Sequence, residues 1–347
     1  MPTFSADIHE AAFVTSETVR EAPAAYLAGA PLHPSALPRV SAAGAAWLAA
    51  GALAYFLPEQ GEWPYTAAYA FLLAAFGGAL ILGGVAGRAL PGLEARLRVS
   101  APRLIVVAVL LTAWQLATAK YEILPMPFFP PPQAILEVFL DDWPKLGESI
   151  WHSGWLLAGG YLLGAVAGFL TGVSIGWSRA AAYWVHPVLR FVGPLPATAW
   201  LPIAFFVFPS SWSASTFLVA LATGFPVAIL TWSGVASVNS AYYDIARTLG
   251  ARSRFLILRV AVPAAMPHVF VGLFMGMGAS FAVLVVAEML GVKAGLGWYL
   301  QWAQGWAAYA NMYAALIVMA LAASGLITLL FRLRDRLLAW QKGLVRW

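Results

Sequence analysis

The side chains able to carry bond-making chemistry are few, and their spacing excludes most of it. The chain has 347 residues and no cysteine, so no thiolate nucleophile, disulfide framework, zinc–cysteine site or iron–sulfur cluster can be built. The five histidines, His9, His33, His152, His186 and His268, are scattered and form no His-Glu-x-x-His pair. No metal site is expected, and each reads as an interfacial or packed side chain. No lysine precedes Ser or Thr, which removes a P-loop and an ATP site of that kind, and there is no Gly-x-Ser-x-Gly elbow. Among the long uncharged stretches, Glu288 is the only acid to consider, following 28 uncharged residues. It reads either as a gate or partner for a buried cation, or as an acid at the outer interface capping the following loop. The Gly291-Val292-Lys293 run leans toward the second, and an acid facing an anion path would repel its solute. Ion-gradient carriers use buried ionisable relays, so the energy for any transport is expected to come from outside the chain.

One constellation is patterned. Residues 241–267 read AYYDIARTLGARSRFLILRVAVPAAMP: a short helix, a Gly-Ala break, then a second, amphipathic helix. Phe255, Leu256, Leu258 and Val262 give that helix an apolar face, with Arg252, Arg254 and Arg259 set among them. Pro263 and Pro267 are expected to end the segment before the next span. A Gly that lets another backbone approach closely, a short helix and surrounding Arg make a docking knob for a partner protein. The competing reading is a plain solvated basic loop, and the 13-residue spacing from Gly250 to Pro263 favours docking.

The elements that must hold these residues are membrane helices. Charged residues are 10% of the chain, against about 25% in an ordinary soluble domain. Hydrophobic residues are 61% and mean hydropathy is +0.77. A soluble globule could not cover itself with so few charges, and a disordered chain would be polar. Gly 31, Pro 23 and Trp 16 suit membrane helices and their ends. A bilayer core needs about 20 apolar residues as a helix. Uncharged stretches run Val40–Pro58, Trp63–Gly87, Leu104–Ala119, Ser149–Ser178, Phe191–Tyr243, Val260–Ala287 and Ala294–Phe331. A turn at Pro209-Ser210-Ser211-Trp212-Ser213 splits the Phe191–Tyr243 stretch, giving eight predicted transmembrane helices in an all-α integral membrane protein. Lys120 and Arg103 are expected to snorkel and lengthen the short third span. Segments such as LIVVAVLLTAW are apolar on every side, unlike the alternating strands of a barrel.

With eight spans, Arg20 and Arg39, Arg88 to Arg103, Arg179 and Arg190, Arg247 to Arg259, and Arg332 to Arg346 fall on one side; only Lys120, Lys145 and Lys293 fall on the other. That asymmetry makes the first side cytoplasmic, with both termini there. It also accounts for the net charge of +5 without nucleic acid. The expected organisation is a loosely ordered cytoplasmic tail at 1–39 with no signal peptide, two additional helices and a basic linker at 40–103, and a transmembrane domain at 104–347.

Candidates for a translocation path are Pro194, Pro196, Trp200, Pro202, Ser280 and Glu288. Proline removes backbone hydrogen bonds, and irregular backbone inside a bilayer is tolerated only against protein or a water-filled cavity. The prolines near the fifth span therefore read either as a path-lining broken helix or as a kink packed against neighbours. Trp298, Trp302 and Trp306 recur every four residues, either as a periplasmic helix meeting a partner or as an aromatic belt at the headgroups; Trp340 and Trp347 beside Arg346 resemble a cytoplasmic belt.

The 241–263 segment resembles the cytoplasmic loop of the inner-membrane permease subunits of bacterial ABC importers. That loop runs Glu-Ala-Ala, three residues, Gly, nine residues, Ile, one residue, Leu-Pro. Here Asp244-Ile245-Ala246, Gly250, Val260, Val262 and Pro263 keep the spacing, with Asp for Glu, Ile for the first Ala, and Val for Ile and for Leu. FFPPPQAIL, PLPATAWLPIAFFVF, ARTLGARSRF, VVAEMLG and GLGWYLQWA extend the resemblance, in order, to the nitrate/sulfonate/taurine branch over roughly 104–347. The resemblance implies a six-helix type I importer core, with residues 1–103 outside the usual pattern. It implies a coupling helix, carried by Asp244, Ala246, Arg247, Thr248, Leu249, Gly250, Ala251, Arg252, Phe255 and Pro263, that docks a cytoplasmic ATPase dimer. ATP and Mg would belong to that ATPase, with no cofactor in this chain. Two permease copies, expected as a homodimer, would enclose a path fed by a periplasmic solute-binding protein. The chain itself would then be a transport subunit rather than an enzyme, moving a small anionic or zwitterionic solute. The alternatives are an ion-gradient-driven secondary transporter, which the sparse intramembrane acids disfavour, and a non-transporting membrane scaffold.

Overall fold

The structure is a computed structural model in which residues 37–87 and 90–341 are described. Most of the predicted tail, together with Arg88, Lys342, Arg346 and Trp347, lies outside the described residues. Regular structure among the described residues is helical: α1 Leu37–Phe56, α2 Thr66–Ala86, α3 Pro91–Gln115, α4 Pro132–Asp141, α5 Trp143–Trp177, α6 Arg179–Val192, α7 Leu201–Val207, α8 Ser211–Ala236, α9 Ser240–Thr248, α10 Ser253–Phe255, α11 Val262–Gly291, α12 Leu296–Gly305 and α13 Tyr309–Leu337. Six helical runs among the described residues are long and apolar enough to cross a membrane: Thr66–Ala86, Ala95–Lys120, Trp143–Trp177, Ser211–Ala236, Ser253–Gly291 and Tyr309–Leu337. A seventh arises if Arg179–Val192 and Ala197–Val207, bent by 91°, count as one crossing.

The eight expected spans are therefore not reproduced. The first forms as α1, but its alanine- and glycine-rich run, with Arg39 and Ser41, is not among the six. The fifth is broken, because Pro194 and Pro196 interrupt the backbone between α6 and a 3₁₀ turn at Ala197–Trp200. The last stretch holds two helices, α12 and α13. Pro263 and Pro267 do not end a segment. Pro263 sits in the first turn of α11, where its missing N–H costs little, and Pro267 lies inside it, so helix continues from Ser253 to Gly291.

The described residues divide into two compact units, one of residues 37–49 with Leu73–Val109, the other of Ala50–Leu72 with residues 110–341. Within the first, α1 and α2 approach through Gly44 and Gly77: a Cβ on either would meet the other's carbonyl oxygen, at 2.8 and 2.7 Å. Trp47 donates to the Leu104 carbonyl at 3.0 Å.

Within the second, α5 and α8 run parallel, joined by a glycine ridge at every fourth residue. A Cβ on Gly160 would lie 2.6 Å from Val219 Cβ, on Gly168 2.5 Å from the Gly224 oxygen, on Gly172 2.5 Å from the Ala228 oxygen, and on Gly176 2.6 Å from Val235 Cβ. Gly164 meets the Ala220 carbonyl still more closely. Apolar lipid supplies no hydrophobic drive between helices, so such small-residue faces let backbones pack by dispersion. α11 joins through Gly272 against Val227 and Gly276 against Thr223.

Lys120 does not snorkel. It is buried at the end of a π-helical turn, Leu116–Lys120. Its ammonium donates to the Ala54 and Leu57 carbonyls, each at 2.7 Å, and to Glu59 at 3.1 Å. It thus closes the C-terminal end of α1, where carbonyls lack helical partners. Glu59 also accepts from Thr66 and Gln133.

Candidate functional site

The 241–263 segment has a buried stem and an exposed tip. Asn239 caps α9, its side chain accepting from Ala241 N–H at 2.9 Å. The helix ends in a Schellman motif: Ala251 N–H donates to the Ala246 carbonyl at 3.0 Å and Gly250 N–H to Arg247 at 2.9 Å. This requires Gly250 at φ +81°, a conformation glycine reaches without a Cβ penalty. Leu256 and Ala261 are buried, and Ala261 packs with Val235 and Ala265. Tyr243 stacks edge-on against Trp177 at 5.8 Å. Burial raises the Tyr243 pKa, while Arg247 pulls it down.

The tip is open. Leu249 is 83% exposed, and Ile245, Phe255 and Leu258 are also exposed. Ala246, Leu249, Gly250, Ala251, Arg252 and Phe255 together line a concavity of about 460 Å³. The structure thus brings six of the ten sequence-derived docking residues to one pocket. Asp244 pairs with Arg247 across one turn at 3.2 Å, both exposed, and Thr248 donates to the Ile245 carbonyl. Pro263 is not on this pocket; it opens α11. The apolar face expected on the second helix is divided, with Leu256 inward and Phe255 and Leu258 outward.

The path candidates separate. Pro196 lines an open cleft of about 550 Å³ with Gly193, Thr198, Phe225, Met275 and Ala279. A second cleft, about 380 Å³, shares Leu221 and Phe225 with it and includes Leu189. Pro194 and Pro202 are exposed outside both linings, and Trp200 packs beside the Leu218 core cluster. Ser280 is buried, donating to the Met277 carbonyl at 2.9 Å, and lines neither cleft.

Glu288 is also turned inward. Ser153 donates to its carboxylate at 2.8 Å, and Gly297 N–H donates to it at 2.9 Å. Ser153 in turn accepts from Leu296 N–H at 2.8 Å. Acid and hydroxyl together satisfy the first amides of α12, where the helix dipole favours negative charge. Gly295, at φ +119°, leaves room for the carboxylate: a Cβ there would lie 2.5 Å from it. Sequence reasoning missed Ser153, Gly295 and Lys120 as partners. It also passed over the five-glycine ridge, although its period of four is visible in the sequence. Of the tryptophan stripe, Trp298 and Trp302 lie on α12, Trp302 under the Lys145 ammonium at 3.3 Å, while Trp306 lies past the helix end and is exposed.

Apolar helices crossing the membrane, open clefts between them and a structured exposed loop define a multi-span helical membrane component of a transport system. The chain belongs to the binding-protein-dependent transport system inner membrane component family, the permease subunits of ABC importers, with residues 160–342 matching the family. It is similar to the nitrate import permease protein NrtB of Synechocystis sp., 31% identical across 70% of this chain and 87% of that protein. It is also similar to NrtB of Synechococcus elongatus, 31% identical across 61% of this chain and 75% of that protein. The bicarbonate transport system permease protein CmpB of Synechococcus elongatus is 30% identical across 55% of this chain and 65% of that protein. The chain is accordingly an inner-membrane permease, and no catalytic activity is indicated for such subunits.

Proposed function

We propose that this chain, through residues 104–347, carries a small anionic or zwitterionic solute of the nitrate, sulfonate or taurine kind from periplasm to cytoplasm. A separate ATPase dimer, holding ATP and Mg, drives it through the 241–263 loop. A periplasmic binding protein delivers the solute, and two copies of the chain enclose the path. The observation that carries this reading is the exposed Gly250 pocket on a buried stem, since a loop that served topology alone would need no such fixed geometry. Nitrate and bicarbonate in the relatives' names support the solute class.

Charge supports the orientation. If the bent pair crosses, residues 88–103, 178–190 and 244–259 and the Arg332–Arg336 run share a face opposite Lys120, Lys145 and Lys293. If it did not cross, the 244–259 arginines would fall with Lys120 and Lys145, against the positive-inside tendency. The loop and both termini are then cytoplasmic, provided α1 also crosses. The test is Gly250→Arg, which fills the pocket and strains the turn, beside Gly250→Asn, which tolerates positive φ. ATPase co-purification and uptake should be lost in the first and kept in the second. Unchanged co-purification with Gly250→Arg would overturn the docking assignment.

A further inference from the structure

A bilayer core tolerates irregular backbone only against protein or a water-filled cavity, because lipid tails offer no hydrogen bonds. The break between α6 and α7 is irregular and open. Pro194, Leu195 and Pro196 are exposed, and the two prolines carry no N–H. The 3₁₀ turn at Ala197–Trp200 has no side-chain cap, so the Ala197 and Thr198 N–H groups at its start have no helical acceptor. α8 adds a second irregularity. Pro226 lies inside it and cannot donate to the Ala222 carbonyl one turn back. The two irregularities meet, because Gly193, Pro196 and Thr198 share the cleft of about 550 Å³ with Ala222 and Pro226.

The depth of the break does not depend on where the bilayer falls along α8. A Cβ on Gly193 would lie 4.0 Å from Phe225, and Leu221, Ala222 and Phe225 line the cleft beside the break. α8 has 26 residues, which is about 39 Å at about 1.5 Å per residue. A core of about 30 Å then leaves about 9 Å of overhang. Leu221 to Phe225 lie at least about 15 Å from either end of α8, so they fall inside the core at any placement.

Left bare, an open cleft at this depth would fill with acyl chains, which cannot pair its backbone groups. Another protein surface must therefore wall it off from lipid. The ATPase and the binding protein of the proposed assembly lie outside the membrane, which leaves the second permease. The rim suits a contact buried in the membrane: Ile203, Phe206 and Val207 of α7 are apolar and exposed, Phe206 at 90%. We infer that a second copy of this chain covers the α6–α7 break and closes the cleft beside it, so that this face is the interface between the two copies. This inference rests on the two-copy transport reading above. The rival occupant is lipid.

The experiment uses the permease assembled with its ATPase and binding protein in proteoliposomes. The chain has no cysteine, so Leu195→Cys and Phe206→Cys, made singly, report only on themselves. A bifunctional maleimide should link each into a permease dimer, with a yield that added lipid does not lower. In the unsubstituted protein, a phospholipid with a photoactivatable acyl chain should label residues 193–198 far less than the chain's other apolar segments. Labelling of 193–198 as strong as elsewhere would overturn the inference in favour of lipid, and it needs no variant to fold. A complex that holds two copies by mass and imports solute, yet cross-links at neither cysteine, would overturn it and leave the transport reading standing. A complex with one copy beside a different permease would overturn it too. Lipid-independent cross-linking in a complex that imports none of nitrate, bicarbonate and taurine would support the interface while the solute class fails.

Discussion

Gly159 and Gly160 are neighbours on α5, and the structure gives them opposite fates. A Cβ on Gly159 meets nothing within 4 Å, whereas one on Gly160 would lie 2.6 Å from Val219 Cβ and Cγ1 and 2.9 Å from the Thr216 oxygen. Carbon atoms pack best at about 3.5–4.0 Å, so α8 would have to retreat by about 1 Å at that level. Gly164, Gly168, Gly172 and Gly176 lie along the same contact, so a local retreat also loosens packing beyond its own turn. Forcing a methyl into a filled interface costs about 1–3 kcal/mol. The helix-propensity gain of Gly→Ala, up to about 1 kcal/mol, is common to both sites and cancels between them. Gly160→Ala should therefore be about 1–3 kcal/mol less stable than Gly159→Ala. Thermal unfolding of the purified protein in one detergent measures this directly, and it needs neither solute nor partner. Coincident unfolding temperatures for the two variants would refute the close parallel packing of α5 on α8.

Two other substitutions probe the buried polar contacts. Lys120→Met removes the cation that holds Glu59 and the Ala54 and Leu57 carbonyls at the end of α1 and should cost about 3–5 kcal/mol, with Glu59→Gln in the same chain recovering part of the loss; a double-variant cycle in thermal unfolding would show that coupling, and strict additivity would contradict it. Gly295→Ala should destabilise by more than the about 1–3 kcal/mol of backbone strain in its glycine-only φ +119°, ψ 166° conformation, because its Cβ would also lie 2.5 Å from the Glu288 carboxylate. Gly250→Ala, with nothing within 4 Å of its Cβ, should show only the strain. A loss in Gly295→Ala no larger than its backbone strain, about 1–3 kcal/mol, would count against the Glu288 cap.

The sequence by itself determined that the chain is a bundle of membrane helices, because uncharged runs of this length can satisfy their backbone in lipid only as helices. It also anticipated the short helix and Gly break of the 241–263 loop, since a Gly at positive φ and the helix before it are local features whose signals lie within a few residues. Tertiary structure decided what depends on distant partners. Lys120 looked like an interfacial lysine, but its acid is 61 residues away at Glu59. Glu288 looked like a gate or an interfacial acid, and the hydroxyl that fixes its role is 135 residues away at Ser153. The prolines announced an irregularity, but only the fold turned it into a 91° break beside a cleft. Hydropathy is set residue by residue and can be read along one chain. Pairing a buried charge or fitting a glycine ridge to a carbonyl row requires knowing which helix lies opposite, and that emerges only when the helices pack.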